Sequence, residues 1–166
     1  MKKMQKALLV FFLAGIIGLL PQEVKAQLKT IRFEQLDSLQ QAERRPIVVL
    51  LSTDWCTYCT RMKLSTLKEE QVVKQLNETV YFITLNAEEK KDIRFHGHTF
   101  KYKPTGVKTG VHELAEQLGS INGQLTYPTV CILNAEREII FQHVGYLSAK
   151  ELSRILSMLR KEGKSG

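Results

Sequence analysis

The chain has 166 residues, of which 43% are hydrophobic, 25% charged and 8% aromatic. This balance excludes a disordered polar chain, a collagen-like repeat and a polytopic membrane protein, and the length fits one domain that can bury a core without disulfide staples. Three cysteines are too few for a disulfide framework and odd in number, and the formal net charge of +7 is partly concentrated in the first residues.

Those first residues carry Lys2, Lys3 and Lys6, followed by fourteen uncharged, largely apolar residues from Ala7 to Leu20. Val24 and Ala26 are small enough for the −3 and −1 positions of a signal-peptidase site, so residues 1–26 read as a secretory signal peptide. Fourteen helical residues reach ~21 Å, short of the ~30 Å hydrocarbon core, so no stable membrane insertion is expected after cleavage. Cleavage removes four lysines and one glutamate, which lowers the charge by three. The remaining mildly basic domain, residues 27–166, is expected in the periplasm or the secreted medium. Export argues against nucleic acid as a partner, and disulfides form and persist there. No cysteine follows the cut, so a lipid-anchored end is not suggested.

In chain order, Lys29–Phe33 could hold a short edge strand, and Phe33–Arg45 carries Phe33, Leu36, Leu39 and Ala42 at helical spacing up to Pro46. Ile47–Leu51, five consecutive aliphatics, reads as a strand buried on both faces. A helix is expected from about Cys56 to Leu76, a strand at Val80–Leu85 and a short helix at Val111–Leu118. Two more strands, Val130–Leu133 and Glu138–Val144, are joined by Asn134–Arg137. Ser148 then caps a final helix, with Glu151 in the capping-box position and Leu152, Ile155 and Leu159 on one face. Alternation followed by a hairpin implies an α/β fold, a mixed central sheet flanked by helices on both faces.

Chemistry concentrates between the buried strand and the long helix, in Ser52-Thr53-Asp54-Trp55-Cys56-Thr57-Tyr58-Cys59. Thiols at i and i+3 of a first helical turn lie on one face, close enough to form a disulfide. The unpaired N–H groups of that turn and the helix dipole favour a thiolate at Cys56, the species that attacks a disulfide sulfur. Cys59, a turn deeper, would resolve the mixed disulfide. Arg61 and Lys63 lie too far along the helix to be credited with the thiolate. Two other readings stand beside this one: an inert structural disulfide, and half of a zinc or copper site completed from His96-Gly97-His98, the only rich donor cluster.

Trp55-Cys56-Thr57-Tyr58-Cys59 after a buried strand resembles the W-C-x-x-C site of the thioredoxin family, and Tyr127-Pro128-Thr129 resembles that family's cis-proline segment. With the element order, the resemblance covers most of Thr30–Arg160. It implies a thioredoxin fold and thiol–disulfide exchange, with Cys56 as nucleophile and Cys59 as resolving thiol. Trp55, Tyr127, Pro128 and Thr129 would form the substrate-binding surround: Trp55 as an aromatic wall, Pro128 in cis against the cysteine pair, and the Tyr127 backbone open to a substrate peptide. No dissociable cofactor is implied, because the dithiol itself carries two electrons. The implied partners are exported cysteine-containing proteins and an upstream redox protein that regenerates the pair.

The sequence departs from the family pattern in three places. Leu50 stands where such enzymes often keep a buried carboxylate, which leaves water or Glu88 as proton acceptor for Cys59. Thr57-Tyr58 is neither the Gly-Pro of cytosolic thioredoxin nor the Gly-His of disulfide isomerases, so redox direction does not carry over. Residues Glu88–Gly110 form a long connection in which Lys90, Lys91, Arg94, Lys101, Lys103 and Lys108 alternate with Phe95, Phe100 and Tyr102. A surface excursion that tucks its aromatics onto the domain is favoured over a docking hairpin. Cys131 reads as a buried small hydrophobe. Asn77-Glu78-Thr79 matches the N-glycosylation pattern, and His112 and His143 are assigned no role.

Overall fold

In the computed structural model, which describes residues 26–162, β1 spans Ile47–Ser52 and every one of its residues is buried. The signal-peptide reading of residues 1–26 falls almost wholly outside the described residues. β1 lies at the centre of a four-stranded sheet. β2 (Tyr81–Asn86) runs parallel to it on one side and β9 (Thr129–Leu133) antiparallel on the other, with β10 (Ile139–Val144) antiparallel to β9 at the edge. Because side chains alternate along a strand, the two faces of β1 feed two cores. Val48 and Leu50 pack with Met62, Leu67, Val72, Leu76, Leu152 and Leu156. Ile47, Val49 and Leu51 pack with Phe33, Leu36, Phe95, Phe100, Leu114 and Leu118. The expected α/β architecture, a thioredoxin fold with helices on both sheet faces, is what the chain adopts.

Among the described residues five α-helices flank the sheet: α1 (Leu36–Ala42), α2 (Thr57–Leu64), α3 (Glu70–Thr79), α4 (Glu113–Gly119) and α5 (Ala149–Glu162). Several differ from the expected bounds for identifiable reasons. The first helical stretch opens as a 3-10 turn at Phe33–Gln35, and α1 stops at Ala42, before Arg45. The residue preceding a proline avoids helical backbone, and the Gln40 amide closes the bend by pairing with both the N–H and the carbonyl of Arg45. Lys29–Phe33 is no strand; a single bond from Ile31 N–H to the Phe82 carbonyl ties it to β2.

The expected helix Cys56–Leu76 is broken in two by a 3-10 turn at Thr66–Lys68. The break falls at Ser65-Thr66, whose hydroxyls compete with the helical ladder. Ser65 Oγ donates to the Arg61 carbonyl at 2.7 Å, and buried Thr66 Oγ1 donates to the Leu147 carbonyl at 2.6 Å. The last helix begins as read: Glu151 accepts from the Ser148 N–H at 2.9 Å and from its hydroxyl.

The long connection folds into two hairpins, β3 (Ile93–Phe95) with β4 (His98–Phe100) and β5 (Tyr102–Pro104) with β6 (Gly110–His112). Ile93, Phe95 and Phe100 are buried in the core shared with α1 and α4, so the segment tucks its aromatics inward. Gly110 is required where it stands, since a Cβ there would meet the Tyr102 ring and the Lys103 carbonyl at 2.3–2.5 Å. The helix after it starts at Glu113 rather than Val111, because residues 110–112 pair as β6. His112, assigned no role from sequence, is fully buried and caps α4. Its Nδ1 accepts from the Leu114 N–H at 3.2 Å, and its Nε2 lies 3.2 Å from the Lys91 carbonyl. A small hairpin, β7 (Ser120–Ile121) and β8 (Gln124–Leu125), then leads to Tyr127.

Candidate active site

β1 delivers the chain at its C-terminal end to Thr53-Asp54-Trp55, and the turn closes with a bond from Cys56 N–H to the Thr53 carbonyl at 3.3 Å. Cys56 is the N-cap of α2 rather than a residue of its first turn. Its Sγ accepts from the Cys59 N–H at 3.1 Å, one of the orphan donors of a helix start. Cys56 and Cys59 are joined in a disulfide, with Cα atoms 5.2 Å apart. The two sulfurs are not equivalent, since Cys56 retains 6% exposure and Cys59 only 1%.

Exposed aromatics surround the pair. Trp55 is 68% and Tyr58 63% exposed, uncommon values for side chains of that size. Trp55 is held on two sides, by donation from Nε1 to Glu88 Oε1 at 3.1 Å and by an edge-on contact with Tyr127, ring centroids 5.9 Å apart. That contact brings the Tyr127–Pro128 segment, whose peptide bond is cis, beside the cysteine turn. Burial, with the negative charges of Glu88 and Glu116, pushes the Tyr127 phenol up to about 12, so it is a neutral hydroxyl at physiological pH. Thr129 differs from the other candidates. Its side chain is fully buried and its hydroxyl donates to the Thr126 carbonyl at 2.6 Å.

A match to the family model of the thioredoxin-like domain spans residues 33–160. The chain belongs to the thioredoxin-like family. Solved structures agree on the fold. DsbH oxidoreductase aligns over 85% of this chain and 91% of its own, at TM-score 0.57 and 15% identity. A thioredoxin from Thermus thermophilus aligns over 82% and 90%, at 0.58 and 18%. A thioredoxin-fold protein from Helicobacter pylori aligns over 86% and 80%, at 0.55 and 17%. No curated protein sequence matches. This thioredoxin-like chain carries a C-x-x-C pair, Cys56 and Cys59, able to form a disulfide at the start of α2.

Leu50 is buried among aliphatic side chains and supplies no carboxylate. Glu88 is engaged by the Trp55 indole, and Asp54 accepts from Asn86 Nδ2 at 3.4 Å. One polar neighbour was missed. Lys63, set aside from sequence as too distant, turns back along α2 and donates from Nζ to Ser52 Oγ at 3.0 Å. Its spacing four residues after Cys59 was the available signal.

The histidine reading changes as well. His96 sits in the β3–β4 turn at φ 53° and His98 opens β4. Among the described residues no three His, Cys, Asp or Glu side chains gather as a metal site. No helix among them is long and apolar enough to cross a membrane.

Cys131 lies in the middle of β9, opposite Val49 and Gln142, with no exposed surface, and burial pushes its thiol up to about 12. Its ordinary value is 9.0. A thiol held protonated in the fold binds more protons than in the unfolded chain, so stability falls as pH rises above the unfolded value. The urea midpoint is expected to drop between pH 8 and pH 10.5, and Cys131→Ala should flatten that part of the profile.

Proposed function

We propose that this protein is an exported thiol–disulfide oxidoreductase that exchanges disulfides with cysteines of other exported proteins. In the reduced form the Cys56 thiolate attacks one sulfur of a substrate disulfide, a mixed disulfide forms, and the other substrate sulfur leaves as thiolate. Cys59 then gives up its proton and attacks Cys56 Sγ. The second substrate thiolate departs and the Cys56–Cys59 disulfide remains. The substrate disulfide gains two electrons, the dithiol loses two, and an upstream redox partner restores it. The same steps reversed oxidise a substrate dithiol.

One observation carries the reading: Cys56 caps α2 with its sulfur, accepting the Cys59 N–H at 3.1 Å, at the rim of a turn flanked by exposed Trp55 and Tyr58. A hydrogen bond to the charged form favours it, so the geometry suits a thiolate at the reachable sulfur. The Trp55 wall and the Tyr127 backbone would receive the substrate peptide. The basic start and apolar run ahead of Ala26 support export. The metal-module alternative finds no third ligand among the described residues.

The test is reduction of insulin by dithiothreitol-regenerated protein. Wild type is expected to accelerate precipitation of the reduced chains, and Cys56→Ser to lose ~10³-fold or more of that rate, as when a nucleophile is removed. Equal rates for the two proteins would refute the reading.

A further inference from the structure

Lys63 occupies a place where a cation has electrostatic consequences. Its Nζ donates to Ser52 Oγ, and Ser52 is buried at the end of β1, four residues before Cys56 and on the same strand face as Leu50. Cys59 and Lys63 stand four apart on α2, which puts them on one helix face with Cβ atoms ~5–6 Å apart. Helical side chains lean toward the N-terminus. The bond to Ser52 shows that Lys63 follows this rule and lies back along the face bearing Cys59.

Its charge has no local counterpart. The hydroxyl it bonds is neutral, and among the described residues no carboxylate lies within ion-pair distance of Nζ. The other charged groups around the turn are engaged elsewhere. Asp54 accepts from Asn86, Glu88 accepts from Trp55, and the Arg61 guanidinium lies over the Tyr146 ring at 5.4 Å. Leu50, two residues before Ser52 on the same strand face, contributes no charge.

We propose that Lys63 is a positioning residue for the dithiol, an ammonium held by Ser52 so that it stabilises the thiolate of Cys59 as that thiol is released to resolve the mixed disulfide. The proposal rests on the redox reading above and deepens it. A fixed cation favours the reduced, ionised pair over the neutral disulfide, and a stabilised reduced form makes a dithiol a stronger oxidant. The chain thus has, in place of a buried carboxylate that accepts a proton, a cation that lowers the cost of losing one.

The experiment compares wild type, Lys63→Met and Lys63→Arg, all checked for folding by circular dichroism. The readouts are a glutathione redox titration and thiolate absorbance against pH. Lys63→Met, which keeps the stem and removes the charge, is expected to shift the equilibrium constant about tenfold toward the disulfide, a fall of ~30 mV, and to move thiolate formation to higher pH. Lys63→Arg should stay near wild type. An unchanged Lys63→Met, or equal shifts in both variants, would overturn the proposal, the latter pointing to packing rather than charge. Should Lys63→Met not fold, Ser52→Ala, which frees the ammonium, must give a shift of the same sign. Wild-type protein inert toward insulin would instead remove the redox reading itself, which these titrations do not measure.

Discussion

Cys59→Ser is expected to stall as a covalent adduct. When this variant is mixed with oxidised insulin or a disulfide-containing peptide, Cys56 should still attack, and a species of summed mass should accumulate and dissolve on adding dithiothreitol. The reason is geometric. In the folded protein the second sulfur is held one helical turn from the first, Cα atoms 5.2 Å apart, so resolution is intramolecular. Well-oriented intramolecular reactions reach effective molarities of ~10⁵ M or more, far above any external thiol, so the resolving step should slow by at least about a thousandfold. Cys56→Ser should form no adduct, because the remaining sulfur is sealed under the helix turn. Adducts through Cys59 at the same rate would assign the two roles the other way round.

The second large effect concerns stability. Phe95→Ala is expected to cost ~3–5 kcal/mol, the usual range for deleting a buried aromatic. Phe95 meets Phe33 edge-on with centroids 5.2 Å apart, and the Arg137 guanidinium lies over its ring at 5.8 Å while also pairing with Asp37. The side chain therefore ties the β3–β4 hairpin to the 3-10 turn before α1 and to the β9–β10 connection. Arg94, its neighbour on the hairpin, is exposed, and Arg94→Ala should stay within ~0.5 kcal/mol of wild type, as for ordinary surface positions. Urea denaturation of the two variants separates an integral hairpin from a detachable excursion, for which both would cost little.

The parts of the fold that depend on short-range pattern were readable in the amino-acid sequence. Five aliphatics between Pro46 and Ser52 announce a central strand, and Ser148 with Glu151 announces a helix start that the hydrogen bonds reproduce. The cysteine turn was legible because its spacing and its Trp55 neighbour carry the chemistry locally. What escaped depends on partners distant in the chain. No glycine or proline stands between Cys56 and Leu76 to mark a stop, so the break at Ser65-Thr66 is invisible until Thr66 is seen bonded to Leu147, 81 residues on. The hairpins of the long connection have three-residue strands, too short for an alternation signal. The turn between β7 and β8 did carry one, Asn122-Gly123, both at positive φ as a tight hairpin requires. Lys63 and His112 were passed over because each takes its meaning from a contact: Lys63 from Ser52, His112 from Leu114 and Lys91.

The central claim is that the two sulfurs of one turn differ, Cys56 being the reachable one and Cys59 the shielded one. Its most direct measurement is brief alkylation of the reduced protein with iodoacetamide at neutral pH, read by peptide mass spectrometry. Carbamidomethyl label should appear first on Cys56, with Cys59 lagging and Cys131 unlabelled until denaturant is added. Label arriving on Cys59 or Cys131 as fast as on Cys56, or on none of the three, would contradict the account.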